Sequence, residues 1–396
     1  KKRTRSRNKI SHAFIVTRKR SVAGDFGASG LRRHEVEQIF SRKLCGFKIA
    51  CHAKYATLRR TQRDATISTM DFIAIGDTAI DEFIKLKEAR IHCDINNEDC
   101  TISMKWGDKI PYEFSVLVPG VGNAANAAVA AARLGLSAGF LSNVGKDRFG
   151  EEILATFARE GVDTTYVTVN DGIPTNHHYV LWYEAERTIL IRHEAHPYVI
   201  PKGFVAPRWM YLSSTAEQSE AFHTACAEWL AEHPETKLAF QPGTFQLRMG
   251  KEKLKEIYAR TELVACNKEE AERILECGET DIQTLLKNMR ALGPKTVLIT
   301  DGPRGAYAFD GTEMLKVPMY PDPKPPLDRT GAGDAAASTV VVALALGQPL
   351  ATALLWGLVN AMSVVQEIGA QKGLLTREKI EEYLANAPAE FKESSF

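Results

Sequence analysis

Asp334 follows the tight turn Gly331-Ala332-Gly333 and opens an apolar run of small residues, 335–346, that ends at Gly347. The run has no polar residue beyond Ser338 and Thr339. It reads as a buried helix closed by a C-terminal glycine. The glycine turn then sits at a helix N-terminus, where unpaired backbone N–H groups form an anion site. A carboxylate beside an anion site is unfavourable unless it has chemical work there. Asp334 could take a proton from a hydroxyl while the adjacent amides stabilise a transferring phosphoryl group. The plainer alternative is a capping Asp after a glycine turn.

Other residues of the right type fall at the ends of expected strands. Phe72-Ile73-Ala74-Ile75-Gly76 reads as a buried first strand, and Asp77 and Asp81 follow it. Ligands of open α/β sheets bind at such strand ends. Of the two, Asp81 is the better candidate for gripping substrate hydroxyls, and Asp77 is equally well read as a solvated turn acid. The turn Pro119-Gly120-Val121-Gly122-Asn123 opens an alanine-rich helix ending at Gly135. Asn123 and Asn126 lie at i and i+3, so one amide can reach a polyol while the other caps the helix. It is a poor match to a dinucleotide fingerprint. Asn267 and Glu270, also at i and i+3, open another helix. They could hold the water shell of Mg²⁺, or form an N-cap Asn with a solvated Glu. Thr300-Asp301-Gly302-Pro303-Arg304-Gly305 is a glycine loop suited to phosphates or a base, or a plain turn. His177, His178, His193 and His196 lack metal-ligand spacing and are expected as surface or packing residues.

These residues need a frame, and the chain supplies one. From 205 onwards strand and helix patterns alternate, with helices expected at 219–233, 251–260 and 351–368 and a loose tail after Pro388. Such units predict a parallel sheet covered on both faces. Segment 82–118 reads as a hairpin-like excursion, and 165–193 as β. The latter includes a hairpin, 179–183 and 188–192, joined by a four-residue polar turn. Together they could form a small sheet lying over the site as a lid, with lid segments near 82–118 and 177–193.

Of 396 residues, 44% are hydrophobic and 25% charged, as in a globular protein. No apolar run reaches transmembrane length. The seven cysteines show no paired spacing. That argues for a reducing, cytoplasmic compartment and against a disulfide framework. The net charge of +1 hides an asymmetry: 1–69 holds 18 Lys/Arg and 4 Asp/Glu, leaving 32 basic and 45 acidic residues beyond it. Segment 1–69 has no methionine and no domain pattern, and is expected to be disordered. A transit peptide, a nucleic-acid-binding arm and upstream sequence read from a misassigned start compete for it. The last is preferred, because Met70 falls where the domain at 70–396 begins.

Asp328-Arg329-Thr330-Gly331-Ala332-Gly333-Asp334 matches the D-x-T-G-A-G-D signature of the ribokinase or PfkB family of carbohydrate kinases. Residues 120–135 resemble its first signature, 267–270 its N-x-x-E motif, 300–305 its nucleotide loop and 76–81 its first-strand substrate site. Residues 70–385 therefore resemble that family throughout. The resemblance implies a Rossmann-like, mostly parallel α/β sheet flanked by helices, with a small β lid that often mediates homodimers. It implies ATP as donor and a sugar or other small alcohol as acceptor, with Asp334 as base and the turn from Gly331 to Asp334, through the amides of Ala332, Gly333 and Asp334, as anion hole. Asp81, Gly122, Asn123 and Asn126 would hold the acceptor. Asn267, Thr300, Gly302, Gly305 and Asn360 would hold ATP, and Glu270 would hold Mg²⁺ through water. Asp328, Thr330, Ala370 and Gly373 would surround a monovalent cation such as K⁺. A nucleoside kinase of the same fold and a non-catalytic sugar- or nucleotide-binding regulator are the alternatives. The sequence departs from the family in Gly120-Val121-Gly122, where adjacent glycines are usual, and in Arg329, where a small residue is common.

Overall fold

The computed structural model describes residues 70–93, 100–183, 186–278 and 281–396. The expectations for 1–69 lie outside the described residues. Strand β1 (Phe72–Ile75) is apolar and buried along its whole length. Its side chains alternate, Phe72 and Ala74 into one core, Ile73 and Ile75 into the other, as a strand covered on both faces requires.

The chain then leaves the main sheet: β2 (Ala79–Leu86) and β5 (Tyr112–Val121) belong to the lid, and β3 (Arg90–His92) and β4 (Thr101–Ser103) between them form a separate two-stranded sheet. Helix α1 (Asn123–Arg133), β6 (Ala138–Gly145), α2 (Arg148–Glu160) and β7 (Asp163–Asn170) follow, then lid strands β8 (Asn176–Tyr183) and β9 (Glu186–Leu190). The second half alternates: β10 (Trp209–Leu212), α3 (Glu220–Glu232), β11 (Lys237–Phe240), α4 (Thr244–Met249), α5 (Lys255–Arg260), β12 (Thr261–Asn267), α6 (Lys268–Leu275), α7 (Ile282–Ala291) and β13 (Thr296–Thr300). Strands β14 (Ala306–Phe309) and β15 (Met314–Val317), helices α8 (Ala332–Ala345), α9 (Leu350–Val364) and α10 (Arg377–Ala385), and β16 (Ser394–Ser395) complete it.

Among the described residues the main sheet has the order β16-β15-β14-β13-β12-β11-β10-β1-β6-β7. Pairings from β7 to β13 are parallel, and those of β14, β15 and β16 antiparallel. Strand order reverses at β1: the chain runs outward through β6 and β7 on one side and from β10 to β13 on the other. The crevice beyond the carboxyl ends of β1 and β10 is therefore the switch point where such sheets bind ligands. There Asp77 N donates to Ser214 O at 2.7 Å. Helices α1, α8 and α9 cover one face, and α3, α5, α6 and α7 the other. The alanines of α1 let its backbone lie close to β1.

The lid is the sheet β5-β2-β8-β9, with β2 and β8 parallel and in register, Asp81 opposite His178. From the excursion at 82–118, β2 and β5 pair antiparallel, whereas 163–170 pairs with β6 in the main sheet rather than joining the lid. The lid hairpin is tighter than expected: Tyr183 pairs with Glu186, so two residues separate the strands, not four. Cys93 and Cys100 are joined by a disulfide, which corrects the expectation of free thiols at these two positions. The antiparallel pair β14 and β15 reverses at 310–313, where Asp310 Oδ1 accepts from Thr312 N and Glu313 N at 2.8 and 2.9 Å.

Three helix and tail boundaries also differ. The helix expected at 251–260 begins only at Lys255, because 251–254 form a turn. Helix α9 ends at Val364, four residues early, and 365–373 become a loop that packs Ala370 against Gly331. The tail is not loose. Phe391 is buried against Tyr320, ring centroids 4.7 Å apart, and β16 pairs with β15. No helix among the described residues is long and apolar enough to cross a membrane.

Candidate active site

Helix α8 starts at Gly331, which adopts a left-handed conformation with φ 81°. A Cβ there would run into Ala370, so position 331 needs glycine for both backbone and space. The first helical bond is Ala335 N to Gly331 O, 2.8 Å. The amides of Gly333 and Asp334 precede it and are the helix's orphan donors.

Asp334 leaves this turn with both carboxylate oxygens held by amide donors. Asn126 Nδ2 donates to Oδ2 at 2.8 Å and Gln241 Nε2 to Oδ1 at 3.0 Å. Both donors are themselves fixed. Asn126 Oδ1 accepts from Gln371 Nε2 at 3.0 Å, and Gln241 Oε1 accepts from Tyr211 OH at 2.5 Å. Desolvation pushes the Asp334 carboxyl above the usual carboxylate range, and the bonds from Asn126 and Gln241 oppose the rise. A carboxylate raised by burial yet bonded in its ionised form is suited to accept a proton. Asp334 is therefore more than a helix cap.

Two cavities meet at this helix start. One, of about 370 Å³, is lined by Thr300, Gly302, Gly305, Arg329, Ala332 and Gly333 at its polar end and by Met319, Leu358, Met362 and Val365 beyond. The other, of about 260 Å³, includes Asp77, Asp81, Gly122, Asn123, Asn126, Thr330, Ala370 and Asp334. Position 122 is glycine with φ 124°, and a Cβ there would stand 2.7 Å from Asp77 O. The sequence candidates around Asp81 and Asn126 thus share one cavity, and those around Thr300 and Gly302 share the other.

Some candidates are placed differently. Asn360 is fully buried; its Nδ2 donates to Thr339 Oγ1 at 2.7 Å and its Oδ1 accepts from Leu375 N at 2.9 Å. It ties α8, α9 and the loop before α10 together and does not line the larger cavity. Asn267 and Glu270 bond each other: Asn267 N to Glu270 Oε2 at 2.9 Å and Glu270 N to Asn267 Oδ1 at 2.7 Å. This is a capping box for α6. Burial raises the Glu270 carboxyl, and the charge of Asp334 adds to the rise. Asp328 Oδ1 accepts from Thr330 N and Oγ1, 2.9 and 2.6 Å, and Oδ2 accepts from Gly369 N at 2.9 Å. Asp328, Thr330 and Ala370 therefore meet around Gly331. Gly373 packs instead against the backbone of Ser363 and Val364.

The structure also adds residues. Gln241 directly follows β11, a strand-end position that could have flagged it. His193 Nδ1 lies 2.8 Å from Asp77 Oδ2, and Tyr198 OH donates to Asp77 Oδ1 at 2.5 Å. His178 Nδ1 lies 3.2 Å from Asp81 Oδ1. These two histidines are not simple packing residues, because both line the smaller cavity. No spacing rule could find them, since their carboxylates lie about 100 residues away (|i−j| 116 and 97). Lid residues Glu186 and Arg187 face the signature itself, Arg329 Nη1 at 3.8 Å from Glu186 Oε1 and Arg187 Nε at 4.0 Å from Asp328 Oδ1.

Comparison with known proteins gives the family and the fold. The family model described as pfkB family carbohydrate kinase matches residues 110–377, more than half of the chain. Ribokinase of Bacillus subtilis (strain 168) is 27% identical over 277 residues, 68% of this chain and 88% of that protein. Among solved structures, the Methanocaldococcus jannaschii nucleoside kinase has a TM-score of 0.65 at 21% identity, covering 81% of this chain and 99% of that one. Arabidopsis thaliana ribokinase complexed with ribose and ATP has a TM-score of 0.67 at 19% identity, with coverage of 80% and 99%. Both structural likenesses establish the ribokinase-like fold.

Proposed function

Since the chain belongs to the pfkB family of carbohydrate kinases and is a phosphotransferase acting on hydroxyl groups, we propose that it transfers the γ-phosphoryl group of ATP to a sugar hydroxyl, with Asp334 as the base. The observation that carries this reading is the position of Asp334. It stands where two cavities meet, held as an oriented acceptor by Asn126 and Gln241.

The acceptor occupies the smaller cavity and the nucleotide the larger, with the phosphates over Gly302, Gly305, Ala332 and Gly333. Transfer is in line, from the larger cavity towards the smaller. Asp334 receives the hydroxyl proton as the new P–O bond forms and the bond to ADP breaks. The amides of Gly333 and Asp334 accept the charge on the transferring group. The loose transition state of such reactions leaves the protein mainly positioning and charge stabilisation to supply.

Among the described residues no cluster of three His, Cys, Asp or Glu could hold a metal. Glu270, whose carboxyl is raised by burial and by the nearby charge of Asp334, is the residue that would meet the water shell of a Mg²⁺ carried on the nucleotide phosphates. When bound, such an ion offsets phosphate charge. Both oxygens of Asp328 are already engaged by Thr330 and Gly369, which orders the turn from within; a monovalent cation would add to that order.

The test is phosphorylated product by mass spectrometry after incubation with ATP and a panel of sugars and nucleosides. Product that requires Asp334 supports the reading. ATP binding without product from any acceptor refutes it.

A further inference from the structure

Two carboxylate–histidine pairs stand together in the smaller cavity. Asp77 is paired with His193 and Asp81 with His178, and the two imidazole rings lie 5.1 Å apart. We propose that the acceptor is an uncharged, polyhydroxylated molecule of monosaccharide size, and that His193 reads one of its hydroxyls; this rests on the phosphotransfer reading above.

The charge of the lining excludes anions. Among the described residues, Asp77, Asp81 and Asp334 line the cavity and no Lys or Arg does. The guanidinium of Arg187 is near Asp328, and Arg329 lines the other cavity and faces Glu186. A carboxylate or phosphate on the acceptor would meet three acids with no fixed cation, and like-charge contact is a strong rejecting element. Protonated imidazoles would not reverse this, because each is matched to its own carboxylate and Asp334 is left over.

Size and shape narrow the class further. A cavity of about 260 Å³ is smaller than the roughly 300–1,000 Å³ of sites for drug-sized ligands. It suits one sugar ring rather than a whole nucleoside. Ile189, Ile191 and Phe245 supply apolar wall, which matches the C–H face of such a ring.

His193 is held for recognition. An ionised carboxylate only accepts, so Nδ1 carries the proton towards Asp77. Asp77 is fixed in turn by Tyr198, whose hydroxyl also accepts from Ala216 N at 2.9 Å. Burial and the Asp77 charge push the Tyr198 phenol up, so it remains a donor. Phe245 meets the His193 ring edge-on, centroids 5.4 Å apart. With ring plane and tautomer set, Nε2 is the atom left to accept from a hydroxyl. His178 completes the wall by orienting Asp81, and its own Nε2 is buried without a partner.

The test is calorimetric binding and steady-state kinetics of the full chain with ribose, fructose, glucose, an aldonate, a sugar phosphate, adenosine and cytidine. One or more neutral sugars should bind and be phosphorylated with the highest kcat/KM. His193→Asn keeps a donor towards Asp77 but removes Nε2. It should raise the acceptor Kd and KM about three- to tenfold, as expected for one hydrogen bond, with the KM for ATP unchanged. His193→Gln, which returns an acceptor near Nε2, should recover part of the loss. In the wild type, one deoxy analogue of the best sugar should be disfavoured, and that penalty should vanish in His193→Asn. Preference for the aldonate, sugar phosphate or nucleoside overturns the inference, as does unchanged acceptor Kd in His193→Asn. Neutral sugars that bind but are never phosphorylated would overturn the kinase reading and leave the inference about the cavity standing.

Discussion

Replacing Asp334 by Asn tests the centre of the mechanism with the smallest change in shape. Both oxygens of Asp334 accept from amide nitrogens, Asn126 Nδ2 at 2.8 Å and Gln241 Nε2 at 3.0 Å. An asparagine can offer an oxygen to only one of them, and its own NH₂ must face the other donor. One hydrogen bond is lost and one buried donor is left unpaired, costing about 1–3 kcal/mol. That should lower Tm by several degrees without unfolding the protein. The chemical loss is separate: removal of a positioned base costs roughly 10²–10⁴ in rate. The larger cavity is lined by Ala332 and Gly333 but not by the Asp334 side chain, so ATP affinity should change by less than about threefold, within one weak hydrogen bond. The assay is ADP release coupled to a dehydrogenase, with nucleotide Kd measured by calorimetry. A variant that keeps kcat within tenfold of the wild type would falsify the role of Asp334 as base. If kcat and ATP affinity fall together, the residue is structural and the base lies elsewhere.

Four further outcomes follow from the same geometry. Gln241→Leu removes a bond that favours the ionised form of Asp334, so its pKa rises further and the acid limb of the kcat profile should move to higher pH; an unmoved limb contradicts the coupling. Gly331→Ala forces an L side chain into φ 81° against Ala370, and should lower Tm and activity together. A Cβ at Gly333 meets nothing within 4 Å, so Gly333→Ala should keep Tm and raise the KM for ATP by intruding on the larger cavity. Asn360→Ala leaves Thr339 and Leu375 without their buried partner and should cost about 1–3 kcal/mol in urea unfolding, with ATP affinity unchanged; a lost nucleotide affinity would return Asn360 to the donor site.

The parts of the site that the sequence made legible are those written in backbone. Gly331 and Gly122 announce positive φ and close approach, and the small residues after them announce helices pressed against a sheet. Asp334, Asn126 and Asp81 could be found because each lies within a few residues of such a marker. Gln241 was within reach, at a strand end, but no glycine marks it. His178, His193 and Tyr198 were out of reach because they act through carboxylates a hundred residues away, and only the fold brings such groups together. Asn360 is placed differently from the expectation. The family resemblance pointed it to the nucleotide, but its side chain bonds Thr339 of α8 and the Leu375 amide. The sheet edge was obscured likewise: β14 and β15 are short, and Phe391 anchors the tail through a contact with Tyr320 that no local pattern encodes.

Arg329, the unusual residue inside the signature, gains a context from the lid. Adjacent residues of β9, Glu186 and Arg187, face adjacent residues of the turn, Arg329 and Asp328, with opposite charge in each pair. A single surface pair of this kind contributes little, about 0–1 kcal/mol, and the Glu186–Arg329 pair is more than half exposed on both sides. The Arg187–Asp328 approach differs, because Asp328 is buried and Arg187 Nε is buried without a hydrogen bond. The same strand leads through Ile189 and Ile191 to His193 in the acceptor cavity. The turn leads from Asp328 and Thr330 through Gly331 to Asp334. Acceptor wall and catalytic turn are thus joined at Arg187 as well as at the substrate. A displacement of the lid must separate Arg187 from Asp328, and in doing so it removes a buried charge contact from the residue that orders the turn. On the function proposed above, an open lid would cost the site both its wall and part of the restraint on Asp334, which would couple acceptor binding to the alignment of the base.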